Sequence, residues 1–343
     1  MANILLTQKC IRSCPYCFAR KHMHDAPPED ILKWEDLIYV ADFFQSSGDT
    51  NLSLLGGEPF LHPEIVDYIL YLIGRGLHVT VFTSGVVSEK IMADAVEKLT
   101  PVDSHRLGFV VNVNNPKESS FSENETVSRF LSAFNRFSTL SINVYKLQFD
   151  YSYALQLINK YALNRHIRLG LAHPIPGKKN MCIKPQQFRQ MAQELMSYLP
   201  TFEAFGINVG FDCGMPMCAF SDEEIGLLHK HMHGNMSFRC GAAIDVGPDM
   251  SVWSCFPLSG YNKRSLYDFQ TAKELYDFFN RFTEEVRVEV GGIYEKCDYC
   301  KYREQQLCSG GCLSHSLNKF VNETIIRNEA FYPSSMDADS PSK

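Results

Sequence analysis

No run of apolar residues in this 343-residue chain approaches the roughly 18 needed for a helix to span a bilayer. The N-terminus also lacks the basic stretch and long apolar core of a secretory signal. A membrane partner is therefore not expected, and the expected location is cytoplasmic. Excess positive charge is missing too: 33 Lys and Arg stand against 39 Asp and Glu, a net charge of −6. That balance excludes phosphate-backbone binding as the main task, so no nucleic acid is expected as partner. Nor is there an internal repeat beyond an alternation of strand-like and helix-like stretches. What the chain does have is 12 cysteines, and without a secretory signal such a set points to metal binding rather than disulfides. The 45% of hydrophobic residues suffice for a sizeable core, and the length suggests two lobes.

A further absence is the most informative. Cys10, Cys14 and Cys17 sit together in CIRSCPYCF, and the next cysteine is Cys182. Iron–sulfur cubanes are normally closed by four thiolates, so a compact C-x3-C-x2-C loop leaves one iron open to an outside ligand. The alternative is a structural zinc loop, for which His22 and His24 are the local candidates as fourth ligand. A second apolar run, 52–55, opens into Gly56-Gly57-Glu58-Pro59. Two glycines let backbone approach a ligand closely, and a carboxylate beside them can hold an ammonium group.

Strand-like runs at 3–7, 51–55, 78–83, 107–113, 140–147 and 167–172 alternate with amphipathic helical stretches. The reading is α/β, a partial (βα)6 TIM-like barrel over residues 1–180, with ligands at the C-terminal ends of the strands. The turn formers IPGKK at 175–179 end it. A connecting segment over 181–239, with a strand around 207–211, leads to a cysteine-rich domain over 240–332 and a disordered tail over 333–343.

The cysteine loop, with an aromatic before its last cysteine, and the GGEP segment after the next strand together resemble the radical S-adenosylmethionine (SAM) superfamily. The resemblance implies the same barrel. It also implies a 4Fe–4S cluster on Cys10, Cys14 and Cys17, with SAM bound to its open iron and cleaved to a 5′-deoxyadenosyl radical. Gly56, Gly57, Glu58 and Pro59 would grip the methionine amino group, and the backbone of Tyr16 would meet the adenine. Phe18, Ser84 and Asn112 are further cofactor-binding candidates that equally suit a packing, turn or sheet-end role, and His173 could reach adenine or substrate, though a lone His before Pro is more often a hydrogen-bonded structural residue.

The later cysteines are Cys213, Cys218, Cys240, Cys255, Cys297, Cys300, Cys308 and Cys312. Eight thiolates suffice for two cubanes, or for zinc sites, since C-x2-C and C-x3-C suit both. The pattern from Cys240 onward resembles a SPASM domain, the auxiliary-cluster extension of radical SAM enzymes that modify peptides. It departs from that pattern in having x7 rather than x5 before Cys308, Met250 where a glycine is usual, and no cysteine after Cys312. By analogy one auxiliary cluster uses Cys240, Cys255, Cys312 and either Cys213 or Cys218. The other uses Cys297, Cys300 and Cys308, its fourth ligand being the remaining upstream cysteine, a side chain such as His315, or none. Cys182 fits no pattern and reads as a small apolar residue.

Asp150, Tyr151 and Asp212 are candidates for proton or electron work, with helix capping as the plain alternative for the carboxylates. HKHMH at 229–233 reads as a solvated helix surface. The function expected is radical oxidation of a peptide, giving a crosslink, thioether or dehydrogenation. The rivals are a small-molecule dehydrogenase or epimerase acting on a sugar or aminoglycoside, and a non-catalytic metal-stapled scaffold. A flavodoxin- or ferredoxin-type electron donor is the expected partner. Because the chain begins almost at its first strand, a separate leader-peptide recognition protein is expected if the substrate is a peptide.

Overall fold

The computed structural model describes residues 2–19, 23, 26–27, 29–176, 180–234, 236–241 and 243–319. His22, His24, the end of the expected auxiliary domain beyond 319 and the tail at 333–343 lie outside the described residues.

Ten strands form one sheet among the described residues. They are β1 (Ala2–Thr7), β2 (Asn51–Gly56), β3 (His78–Thr83), β4 (Leu107–Asn112), β5 (Ser138–Val144), β6 (His166–Leu171), β7 (Asn208–Phe211), β8 (Ile244–Val246), β9 (Ser251–Ser254) and β10 (Arg264–Ser265). Their spatial order is β10-β9-β8-β1-β2-β3-β4-β5-β6-β7. The seven strands β1 to β7 are parallel in chain order. Helices α1 (Trp34–Ser46), α2 (Ile65–Gly74), α3 (Glu89–Leu99), α4 (Phe121–Ala133), α5 (Ser152–Tyr161) and α6 (Phe188–Ala204) lie between successive strands. After β7 come α7 (Asp222–His231), α8 (Ala272–Val290), α9 (Lys301–Glu304) and α10 (Leu313–Asn318).

Strand alternation explains the layering. Val79, Val81, Phe109, Val111, Leu140, Ile142, Ile167 and Leu169 are buried. Their neighbours Phe82, Val110, Asn112, Asn143 and Arg168 are only half-buried on the opposite, inner face. A period of two assigns the first set to the helix-covered core and the second to the lumen. Aromatic rings fill the core, with Phe109 5.2 Å from Phe130 and 5.0 Å from Phe134, ring centre to ring centre.

Two features extend the barrel beyond the six expected strands. β7 pairs parallel with β6, so the chain crosses back through α6 and adds a seventh strand. At the far edge β8 pairs parallel with β1, and β9 and β10 continue antiparallel. The cysteine-rich region is thus stitched into the same sheet, and Asn3 Nδ2 donates to the buried Asp245 Oδ1 at 2.8 Å. α8 buries Leu275, Phe279, Phe282, Val286 and Val290, an interval of three and four residues that makes one continuous apolar face. A small separate core joins Leu5 and Ala19 to Trp253 and Phe256.

Candidate active site

The cysteine loop leaves β1 at its C-terminal end, where ligands gather in parallel α/β sheets. Asp30 fixes its start, accepting from Gln8 N at 2.6 Å and Gln8 Nε2 at 2.9 Å. Arg12, nearly buried, anchors its middle through Asn112 O and Glu123, both at 2.7 Å. The Tyr16 ring stacks on Tyr145 with centroids 4.9 Å apart. Burial raises the Cys10 thiol to about 12, and the charges of Glu58, Cys14 and Cys17 push the same way, so the three thiols and Glu58 share one neighbourhood. Among the described residues no three His, Cys, Asp or Glu side chains close to single-ion distance.

Gly56 and Gly57 lie directly against this loop. Gly57 N donates to Thr7 O at 2.9 Å and Glu58 N to Lys9 O at 2.7 Å. A Cβ on Gly56 would stand 2.2 Å from Thr7 O, and one on Gly57 2.0 Å from Lys9 O. Only glycine permits this contact.

Glu58, the candidate ammonium clamp, is held between the ends of β2 and β3. Its carboxylate is buried and accepts from Thr83 Oγ1 at 2.6 Å, Phe60 N at 3.2 Å, Ser84 N at 2.8 Å, and the Ser84 hydroxyl. Four donors match the acceptor capacity of a carboxylate. Burial raises its pKa while these donors oppose the rise. Glu58 therefore straps the end of β2 to the end of β3, and Pro59 begins the short 3-10 turn Pro59–Leu61 beside it.

The other candidates separate by position. Asn112 faces the lumen and accepts from Asn143 Nδ2 at 2.9 Å. Asp212 caps the lumen side of β7, paired with Arg168 at 2.7 Å, and the Arg168 guanidinium rests 5.1 Å from the Phe82 ring centre. Asp150 accepts from Ser152 N at 2.9 Å and its hydroxyl at 2.5 Å, holding the start of α5; these bonds lower its pKa, led by the hydroxyl. A cavity of about 100 Å³ lies between this segment and the cysteine loop, lined by Tyr16, Asn114, Asn143, Tyr145, Lys146 and Asp150 among others.

One expectation needs correction, and two further candidates have neighbours in the C-terminal region. Tyr151 is fully buried, 4.9 Å from the Tyr198 ring and against Phe149, its hydroxyl without a partner; it points into the core and cannot meet substrate. Phe18 packs on Phe256 at 5.5 Å, against the small core shared with the C-terminal region and beside Cys17. His173 is buried against the C-terminal thiols: its Nε2 lies 3.3 Å from Cys213 O, and a Cβ on Gly214 would strike both its ring and Cys312 Cβ. Burial alone would lower its pKa, but the neighbouring Cys312 raises it to about 9.

The eight later cysteines fall into two groups of four. Cys213 and Cys240 share a hydrogen bond, which raises the first thiol and lowers the second to about 6. Burial raises Cys255, and the charges of Cys312 and Cys240 add to the rise. Cys240 N is held by Ser309 Oγ at 2.9 Å, Cys255 N by Ala243 O at 2.7 Å. In the second group burial raises Cys218, and Cys297, Cys308 and Cys300 raise it further against the pull of Lys296. Here Tyr302 OH reaches Asp222 at 2.5 Å, tying the later loop to the segment carrying Cys218. Gly292 leaves room for Cys297, whose Cβ would lie 2.4 Å from an added methyl. His315 packs on His173 and Phe188, outside the second group. Cys182 sits in neither group, next to Met181, whose N–H donates to Pro15 O at 3.1 Å. Of HKHMH, His231 is buried with Nδ1 3.7 Å from Glu203, and no metal-sized set forms there among the described residues.

Known proteins are similar to this chain over parts of its sequence and in its fold. The model for the radical SAM superfamily matches residues 4–146. Molybdenum cofactor biosynthesis protein 1 of Mus musculus is 35% identical over 72 residues, 21% of this chain and 11% of that protein. The PqqA peptide cyclase of Granulibacter bethesdensis is 29% identical over 104 residues, 30% of this chain and 27% of that protein. This chain thus spans about a tenth of the first relative's length and about a quarter of the second's. Among solved structures, anSMEcpe with bound AdoMet matches at a TM-score of 0.64 and 16% identity, over 96% of this chain and 97% of that one. Streptococcus suis SuiB bound to its precursor peptide SuiA matches at 0.64 and 12%, over 96% and 74%. These structural likenesses speak to the fold. Residues 4–146 are thus similar to the radical SAM superfamily, whose members use a 4Fe–4S cluster and SAM.

Proposed function

We propose that this protein is a radical SAM enzyme that oxidises a peptide, with two auxiliary 4Fe–4S clusters in its C-terminal region. The observation that carries the reading is the meeting of three thiols and the Gly56–Gly57 pair at the C-terminal edge of a parallel sheet. Cys10, Cys14 and Cys17 would hold the first cluster. Cys213, Cys240, Cys255 and Cys312 would hold one auxiliary cluster, and Cys218, Cys297, Cys300 and Cys308 the other. When bound, the cluster and SAM supply one-electron cleavage of SAM and removal of a hydrogen atom from substrate.

The chain's own residues position these groups. Gly56 and Gly57 keep the β2 end against the cysteine loop; Glu58 sets the Thr83–Ser84 turn; Arg12 and Tyr16 lock the loop to the end of β4. The half-buried lumen, with Asn112, Asn143, Arg168 and Asp212, receives the substrate. A peptide substrate is supported by the fold shared over 96% of the chain with a structure solved with its precursor peptide. An external one-electron donor of flavodoxin or ferredoxin type completes the reaction.

The test is anaerobic incubation of the reconstituted, reduced protein with SAM and candidate peptides. 5′-Deoxyadenosine together with a two-hydrogen mass loss in a peptide supports the proposal. Deoxyadenosine with turnover of a sugar and no peptide assigns the small-molecule alternative. No deoxyadenosine at all leaves only a metal-bound scaffold.

A further inference from the structure

A chain of side chains on the inner face of β4 and β5 runs from the lumen to one thiol of the cysteine loop. Asn143 Nδ2 donates to Asn112 Oδ1 at 2.9 Å. Asn112 Nδ2 then faces the Tyr16 hydroxyl at 3.4 Å. Tyr16 donates to Asn114 Oδ1 at 2.6 Å, and its hydroxyl also comes within hydrogen-bond reach of Cys14. The remaining end of Asn114, its Nδ2, faces Cys14 Sγ at 3.7 Å.

The polarity of this chain is fixed by its members. Each amide has an acceptor at one end and a donor at the other, and a phenol has one proton. Turning any single amide over brings two donors or two acceptors face to face. Turning all of them over aims the Asn114 carbonyl at a thiolate, which has no proton to offer. A metal-bound Cys14 is a thiolate, so the arrangement that satisfies every group ends in an N–H directed at sulfur. Tyr16 is itself buried and clamped by its stack on Tyr145, leaving Asn114 little freedom to turn.

We propose that Asn114, oriented by Asn143, Asn112 and Tyr16, is a positioning residue that donates a hydrogen bond to the Cys14 ligand of the first cluster and raises its reduction potential. This rests on the assignment of Cys10, Cys14 and Cys17 to a cluster. The physical reason is that one-electron reduction puts more negative charge on the cluster and its thiolates. A donor on sulfur therefore favours the reduced state more than the oxidised one. For a hydrogen bond to a charged acceptor the effect is about tenfold in the ratio of reduced to oxidised cluster, equivalent to about 59 mV for one electron.

The experiment is an EPR-monitored redox titration of the full-length reconstituted protein, with the auxiliary clusters as internal reference. Asn114→Leu should keep its full iron content and lower the reduced-to-oxidised ratio of the first cluster about tenfold at fixed potential, leaving the auxiliary signals in place. Tyr16→Phe, which frees the amide to turn, should shift the same signal in the same direction by less. Asn114→Asp, similar in size but bringing a negative charge instead of a donor, should shift it further than leucine does, and serves where the leucine variant does not fold. Wild-type potential in these variants overturns the proposal. So does loss of iron from the first cluster, which would make Asn114 a support of the loop alone. If the wild-type protein forms no cluster dependent on Cys10, Cys14 and Cys17, the underlying assignment fails instead, and the two failures are distinguishable.

Discussion

Gly57→Ala adds a methyl where there is no space for one. Its carbon would lie 2.0 Å from Lys9 O and 2.3 Å from Lys9 C, both backbone atoms that cannot rotate away. Reaching ordinary contact at 3.4 Å requires the two segments to part by about 1.4 Å. That movement breaks the bonds from Gly57 N to Thr7 O and from Glu58 N to Lys9 O. Overpacking of this kind costs about 1–3 kcal/mol, and each lost backbone bond about 1 kcal/mol. The expected destabilisation is roughly 3–5 kcal/mol, a large share of the roughly 5–15 kcal/mol that holds a typical protein folded. Because Lys9 adjoins Cys10, iron bound by the first three cysteines should fall too. Urea unfolding and iron analysis check both effects, with Gly74→Ala as control. Gly74 ends α2 with nothing within 4 Å of an added methyl, and alanine there should be neutral or stabilise by up to about 1 kcal/mol. A Gly57→Ala protein with wild-type stability and iron content would refute the packing argument.

Removing the unpartnered hydroxyl in Tyr151→Phe should raise stability by about 1 kcal/mol and leave turnover unchanged; reduced turnover at unchanged SAM and substrate binding would return Tyr151 to the reaction. Cys218→Ala should remove one auxiliary cluster and Cys213→Ala the other, so Mössbauer spectra of the two single variants should differ in which auxiliary signal is lost, and loss of the same signal from both contradicts the grouping. Asp245 is fully buried, and burial raises its pKa to about 7 against the opposing bond from Asn3. The folded state thus holds its proton more tightly than the unfolded chain, whose Asp titrates near 3.9. Its contribution favours the fold at low pH and is lost as pH rises from about 4 through about 7. Asp245→Asn should flatten that slope in unfolding midpoints measured across the interval, and an unchanged slope would show that Asp245 is not its source.

The barrel strands were legible because their alternation is imposed by one covered face and one lumen face, as Val79, Val81 and Phe82 illustrate. The seventh strand was visible as a strand, but its membership of the barrel was not. The turn formers at 175–179 mask a crossover that only the pairing of His166–Leu169 with Asn208–Phe211 reveals. The cysteine loop and the glycine pair could be found because both chemistries depend on short local spacings. Asn114 could have been found by the same alternation that put Asn112 on the lumen face. Arg12 and Asp30 carry no such signal, since their partners are 100 and 22 residues away in the chain. The division of the later thiols was hidden for the same reason: whether Cys213 or Cys218 joins Cys240 depends on where α7 and α9 meet, as Tyr302 and Asp222 do. Tyr151 misled because it adjoins Asp150 yet faces the opposite way, into rings supplied by α6.

The central claim is an iron left open by Cys10, Cys14 and Cys17 that takes SAM as its remaining ligand. Electron–nuclear double resonance on the reduced protein, with SAM labelled at the methionine nitrogen by ¹⁵N, tests it directly. The account predicts a ¹⁵N hyperfine coupling on the first cluster that disappears in Cys14→Ala. A reduced cluster on these cysteines that shows no such coupling in the presence of SAM would contradict it.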